Sequence, residues 1–410
     1  MTNTYFYIIL GILTGGFILE RWLAWLNMKN IKATVPEELK DVYEPERYEK
    51  SQEYKRVNSK FSIITSSFSL MLILAMFLLG GFAILNDYSF SITGIYILTA
   101  LFFFGILSFG SDILSMPFDV YDTFVIEEKF GFNKTTPKTY ILDKIKGWIL
   151  GAIIGGGIFA IIIWFYQLTG ANFWIWAWLL VAVFTLFMTM FYSNLIVPLF
   201  NKQTPLKDGE LRTAIEDFSK KTGFKLNNIY VIDGSKRSTK ANAYFTGLGA
   251  KKRIVLYDTL INDHDNDELV AVLAHEIGHY KKKHSLTGTV LSILQIGITL
   301  FLFSLFLNNP ALSESMGVSE PNFHISMLAF GILYTPISMI IGYLFNIFSR
   351  RNEFQADRFA AEHHDAKFLI SALKKLTSKN LSNLTPHPVY VKFYYSHPPL
   401  LERVRAMEGM

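Results

Sequence analysis

The chain has 410 residues, a net charge of +5 and a hydrophobic fraction of 51%, with 15% aromatic and only 18% charged residues. An ordinary soluble domain carries about a quarter charged residues, and the mean hydropathy of +0.28 also leans toward lipid. The absence of cysteine excludes disulfides, thiolate zinc sites and cysteine-nucleophile chemistry. Any metal must be held by His, Asp, Glu or water, and no nucleic-acid partner is expected.

Seven apolar stretches are long enough to span a bilayer, which takes about 20 residues. They lie near 5–26, 61–85, 92–113, 148–168, 173–197, 286–307 and 325–348. The first carries Glu20 and Arg21 near its end, and it does not read as a signal peptide, lacking a basic start and a small-residue cleavage site. Lys and Arg crowd the segments 27–60, 114–147, 198–285 and the tail from 349, whereas 86–91, 169–172 and 308–324 hold neither. The positive-inside rule then predicts an outside N-terminus and a cytoplasmic C-terminus, as an odd number of spans requires. A soluble reading would need seven wholly buried apolar helices with alternating loop charge.

The chain thus divides into a membrane part at 1–197 with five spans, a cytoplasmic catalytic segment at 198–285, two further spans at 286–348 and a cytoplasmic tail at 349–410. Within the catalytic segment, 208–222 reads as a helix stopped by Gly223. Residues 228–233 and 252–257 read as short strands, with Asn242-Ala243-Tyr244-Phe245-Thr246-Gly247 extended between them. A helix starts near Asp265, with Asp267 and Glu268 where acids favour the positive helix end.

That helix contains His275-Glu276-Ile277-Gly278-His279. Residues four apart share a helix face, so both imidazoles can reach one Zn²⁺, and Glu276 beside them can act as base toward the attacking water. A hydrolytic zinc has three protein ligands and one open position. His284 is close in sequence but five residues beyond His279, off that face and off the extended metzincin spacing, and it reads as a solvated interface residue. Glu353 and Asp357, four apart after the last apolar stretch, offer one carboxylate for the metal and one to orient a ligand imidazole, with a solvated acidic face as the bland alternative. His397, set in Ser396-His397-Pro398-Pro399, and Arg403 are weaker signals, His397 as a donor to developing negative charge.

With these motifs in this order, the chain resembles the zinc-dependent integral-membrane CAAX prenyl endopeptidases over almost its whole length. The resemblance rests on the seven spans, Asn242 to Gly247, His275 to His279, the Glu353–Asp357 segment and Ser396-His397-Pro398-Pro399-Leu400-Leu401-Glu402-Arg403. It implies a mainly α polytopic protein whose seven transmembrane helices enclose a water-filled chamber, with a cytoplasmic α+β zincin-like domain. It implies one Zn²⁺ on His275, His279 and Glu353, Glu276 as general base, and Asp357 behind a ligand histidine. His397 and Arg403 would stabilise the oxyanion or position substrate. Asn242, Ala243 and Tyr244 would bind substrate backbone by strand addition. The expected reaction removes the last three residues of a prenylated Cys-a-a-X protein, whose prenyl chain anchors it in the bilayer. The end at Gly409-Met410 shows no obvious ER-retrieval signal, which fits a bacterial homologue in a plasma membrane at least as well as a eukaryotic one in the endoplasmic reticulum.

Three rivals differ. A membrane quality-control metalloprotease cutting unprenylated substrates has the same catalytic chemistry but fewer spans. A site-2 type protease carries its His-Glu motif inside an apolar span, whereas here Tyr280-Lys281-Lys282-Lys283 follows at once. A transporter with an incidental motif would place ionisable residues deep in several spans.

Overall fold

Apolar stretches too long for a soluble core become the long helices of the computed structural model, which describes residues 3–32, 34–224, 229–246 and 253–409. The first half runs α1 (Thr4–Lys29), α2 (Pro45–Leu78), α3 (Gly81–Ile92), α4 (Tyr96–Tyr121), α5 (Pro137–Leu150), α6 (Gly156–Thr169), α7 (Phe173–Leu195) and α8 (Val197–Phe200). Then come β1 (Gln203–Pro205), α9 (Glu210–Lys221), β2 (Ile229–Ile232), β3 (Ala243–Thr246), β4 (Arg253–Tyr257), α10 (Asp258–Asp263) and α11 (Asn266–Lys281). The rest is α12 (His284–Phe306), α13 (Pro310–Glu314), α14 (Phe323–His363), α15 (Ala366–Lys379), α16 (Pro388–Tyr394) and α17 (Leu400–Glu408).

Among the described residues, six helical segments are long and apolar enough to cross a membrane. One of them, Pro137–Phe200, is 64 residues long and contains the expected fourth and fifth stretches. The expected stretch 61–85 is cut short: α2 ends at Leu78, and Gly80 at φ 72 starts the separate helix α3. In the other direction α14 outruns its apolar stretch. It continues for 41 residues, roughly 60 Å at the usual helical rise, so Glu353 and Asp357 lie on the same helix as the last span.

The sheet order is β1-β2-β4-β3, with β2 and β4 parallel and β3 antiparallel to β4 on one edge. The strands expected at 228–233 and 252–257 are β2 and β4; residues 228 and 252, and Gly247, lie outside the described residues. The strand β1 carries no hydrophobic alternation and is supplied by pairing to β2. Ile254 and Leu256 of β4 share a core with Leu269, Leu273 and Ile277 of α11 and Leu369 of α15, which makes α11 the central helix beside the sheet. A separate apolar cluster joins Ile9, Phe103, Phe173, Phe303 and Phe323, from five different helices, away from the sheet. Arg237 ties the two parts together, its Nε and Nη2 donating to Asp143 of α5 at 2.8 and 3.0 Å.

Candidate active site

The site starts from the way α11 is built. Asp265 caps its first turn by accepting from Glu268 N–H at 2.9 Å, and the Glu268 carboxylate accepts from Asp265 N–H at 3.0 Å. This capping box satisfies two donors that a helix end leaves free. Glu268 is buried and also accepts from Lys375 and Ser371 of α15, each at 2.6 Å, so the cap fastens α11 to its neighbour.

At the other end, Gly278 lets α11 cross α14 closely. A Cβ there would stand 3.1 Å from both the Ala356 Cα and the Phe359 Cβ. The crossing brings Glu353 against the two histidines. His275 Nε2 and His279 Nε2 are 3.1 Å apart, Glu353 Oε2 is 3.5 Å from the first and Oε1 is 3.2 Å from the second. Ligand atoms about 2.0–2.1 Å from a tetrahedral zinc stand roughly 3.3–3.4 Å apart, and the separations between the two imidazoles and the Glu353 carboxylate are of that size. Their ligand atoms form the group of His275, His279 and Glu353 able to hold a metal ion. Glu353 is only 3% exposed, yet its Oε2 has no hydrogen-bond donor. His397 Nδ1 lies 2.7 Å from that oxygen without the alignment of a hydrogen bond. A buried, unsatisfied carboxylate oxygen facing two imidazoles fits a cation.

A second layer holds the histidines. Asp357, wholly buried, accepts from His275 Nδ1 at 2.8 Å, which turns Nε2 toward the site. Arg403 is also buried and grips the same carboxylate, through Nε at 2.8 Å and Nη2 at 2.5 Å. Arg403 therefore spends two of its donors on Asp357, while Nη1 lies 3.6 Å from Glu353 Oε2. His284 is not solvated, contrary to the sequence expectation. It is 8% exposed, its Nδ1 lies 3.0 Å from His279 Nδ1 and its Nε2 3.0 Å from Gln355 Oε1. Lys283, in the left-handed region at φ 60, ends α11's geometry and starts α12, so the turn swings His284 back toward His279. Burial disfavours charge on His275, but its hydrogen bond to Asp357 and the Glu353 carboxylate beside it outweigh this and, with no metal bound, lift it to about 9.

Nine of the ten residues singled out in the sequence line one cavity of about 560 Å³: Asn242, Ala243, Tyr244, His275, Glu276, His279, Glu353, His397 and Arg403. Asp357 sits behind the wall. Glu276 is half-buried and looks into the cavity, while His397 is exposed at its mouth. The cavity runs along β3. Tyr257 N–H donates to Asn242 C=O at 3.2 Å, so Asn242 faces β4 and Ala243 turns its own N–H and C=O to the free edge. There the Asn242 carboxamide oxygen occupies the Ala243 N–H at 2.9 Å. The wall opposite is the apolar face of α15, with Leu369, Ala372, Leu373 and Leu376. That face carries a helical i, i+3, i+4, i+7 pattern that could have found it, whereas His284, Gln355 and Asn380 carry no local signal.

A multi-pass membrane chain with these donors at one end of a water-accessible cleft is a metalloendopeptidase, and the metal of its class is zinc. Comparison with known proteins agrees. The family described as CAAX prenyl protease N-terminal, five membrane helices, matches residues 25–202, and peptidase family M48 matches residues 205–410. The CAAX prenyl protease 1 homolog of Arabidopsis thaliana is 37% identical, over 98% of this chain and 97% of its own. CAAX prenyl protease 1 of Saccharomyces cerevisiae is 35% identical, over 98% and 94%. The crystal structure of S. mikatae Ste24p matches with a TM-score of 0.92 at 34% identity, covering 99% of each chain. The chain belongs to peptidase family M48, within the integral-membrane CAAX prenyl proteases.

Proposed function

We propose that this protein removes the C-terminal tripeptide from prenylated CAAX proteins at a membrane face, with His275, His279 and Glu353 as zinc ligands and Glu276 as general base. The observation that carries the reading is one cavity holding both the three spaced donors and the free edge of β3. Bound zinc would polarise the scissile carbonyl and make water more acidic. Glu276 takes a proton from the attacking water and delivers it to the leaving amine as the peptide bond breaks. Asp357, backed by Arg403, keeps His275 in the tautomer that presents Nε2. His397, exposed beside Pro398, donates to the developing oxyanion. The substrate adds as a strand to β3, its carbonyl replacing the Asn242 side chain on the Ala243 N–H, with Asn242 and Tyr244 flanking the contact.

The relatives named CAAX prenyl proteases match over nearly their full lengths, which favours this substrate over the unprenylated substrates of a quality-control protease. The bilayer is the second partner. We read seven spans, because Gly170 at φ 55 divides the 64-residue segment and α6 packs back on α7. A chamber between them is supported by polar groups at membrane depth, which normally face a bundle interior or water. Within the apolar stretches, Ser62, Thr65, Ser66 and Ser69 share a face of α2, and Asp112 accepts from Trp148 Nε1 at 2.8 Å. The Lys and Arg distribution favours an outside N-terminus and a cytoplasmic catalytic domain, in the plasma membrane of a bacterium or the endoplasmic reticulum of a eukaryote.

The test is a farnesylated CAAX peptide offered to detergent-purified protein, to protein with a zinc chelator, and to Glu276→Gln. Cleavage after the cysteine by wild type alone is expected, with zinc retained in Glu276→Gln. Hydrolysis by Glu276→Gln at the wild-type rate would refute the assignment of the base.

A further inference from the structure

The free edge of β3 does not extend backward without limit. Ala241 is buried, two residues before Ala243, and it too needs partners for its backbone groups. Both come from one side chain. Asn380 Oδ1 accepts from Ala241 N–H at 3.2 Å, and Asn380 Nδ2 donates to Ala241 C=O at 3.4 Å. This is the two-bond exchange that a neighbouring strand residue would make. Asn380 also lines the substrate cavity.

The turn that presents Asn380 is held at some strain. Leu381, a non-glycine residue, lies in the left-handed region at φ 49. It stays there because its side chain is inserted among Leu39, Tyr43 and Tyr48. The Tyr43 hydroxyl donates to Thr377 C=O at 2.8 Å and is 3.1 Å from Ser382 C=O, clamping both ends of the turn. On the strand side, Lys240 Nζ donates to Glu127 at 2.6 Å and Thr259 Oγ1 donates to Lys240 C=O at 3.0 Å, so the residue before Ala241 is fixed as well. Catalysis as derived above uses none of these groups.

We infer that Asn380 is a positioning residue that sets the register of the substrate strand, filling the edge at Ala241 so that pairing begins at Ala243. The inference rests on the proposed strand addition to β3. A one-residue slip would turn every substrate side chain to the wrong face, and a two-residue slip would keep the faces but move another bond to the metal. With Ala241 occupied, the two-residue slip toward it has no partner.

The experiment measures KM, kcat and cut position by mass spectrometry, with zinc content recorded for each protein. The substrates are a farnesylated CAAX peptide with upstream residues and the same peptide unprenylated. Asn380→Ala frees the Ala241 groups, and the nearly isosteric Asn380→Asp removes only the donor, so the second variant decides the matter if the first fails to fold. Both are expected to keep zinc and to release, beside the wild-type product, fragments displaced by two residues, because Ala241 then offers the substrate strand a second register. Leu381→Gly relaxes the turn but keeps the carboxamide, and should hold the wild-type cut position. A single wild-type cut in both Asn380 variants overturns the inference, as does a loss of kcat with the cut position unchanged. A wild type that cuts only the unprenylated peptide overturns the CAAX reading, and the register role is then judged on the fragments of that peptide. A wild type that cuts neither overturns both.

Discussion

Removing the charge of Asp357 separates two jobs that this residue does at once. Asp357→Asn keeps the volume of a wholly buried side chain. It weakens the 2.8 Å contact that fixes His275, and it strips Arg403 of the carboxylate held at 2.8 and 2.5 Å. Loss of a group behind a metal ligand costs about 10–100-fold in metal affinity or activity, about 1.4–2.7 kcal/mol. Loss of one partner of a buried ion pair costs about 3–5 kcal/mol of stability, because the remaining charge stays buried without compensation. Arg403→Met removes that stranded charge, so the double variant should regain most of the stability while its zinc affinity stays low. Chelator competition gives the zinc affinity, and thermal unfolding in detergent gives the stability, for wild type, both single variants and the double variant. Wild-type zinc affinity in Asp357→Asn would refute the role given to the His275 contact. A double variant no more stable than Asp357→Asn would refute the stranded-charge argument.

Glu353→Ala should lose zinc on dialysis that wild type survives, since it removes one of three donors; unchanged metal content would take Glu353 out of the site. Zinc affinity should fall with pH. The metal-free His275 holds its proton below about 9, and zinc needs the neutral ring, so each unit below 9 costs about tenfold for that proton. A histidine with an ordinary pKa of about 6.5 would leave affinity nearly flat between pH 7 and 8, and a flat titration there would count against the raised value. Gly278→Ala places a Cβ 3.1 Å from Ala356 and Phe359, and forcing α11 off α14 should cost about 1–3 kcal/mol and slow hydrolysis more than Ala substitution at an exposed helix position. Equal activity and melting temperature would show that the crossing has slack.

Some of this protein is local, and the local part was legible. The spacing of His275 and His279 needs only a helix, and the Asp265 and Glu268 signal places one there. Long apolar runs announce membrane helices whatever packs around them, because backbone polar groups in lipid must be satisfied within the helix. The boundaries were less clear: α2 stops at Leu78 because Gly80 takes a positive φ, while hydropathy continues past it.

What only the tertiary structure decided is distance between residues far apart in the chain. Glu353 lies 3.2 Å from His279 because α14 runs on past the last span as one helix and Gly278 lets it cross α11 closely. His284 looked solvated by its offset from the motif face, and a left-handed Lys283 reverses that by returning its ring to His279. Asn380 was invisible for the same reason: a carboxamide has many uses, and only the fold brings this one to the backbone of Ala241, 139 residues away. Helix periodicity repeats every few residues and can be read in one dimension, whereas contacts made by crossing helices and strained turns exist only once the chain has closed on itself.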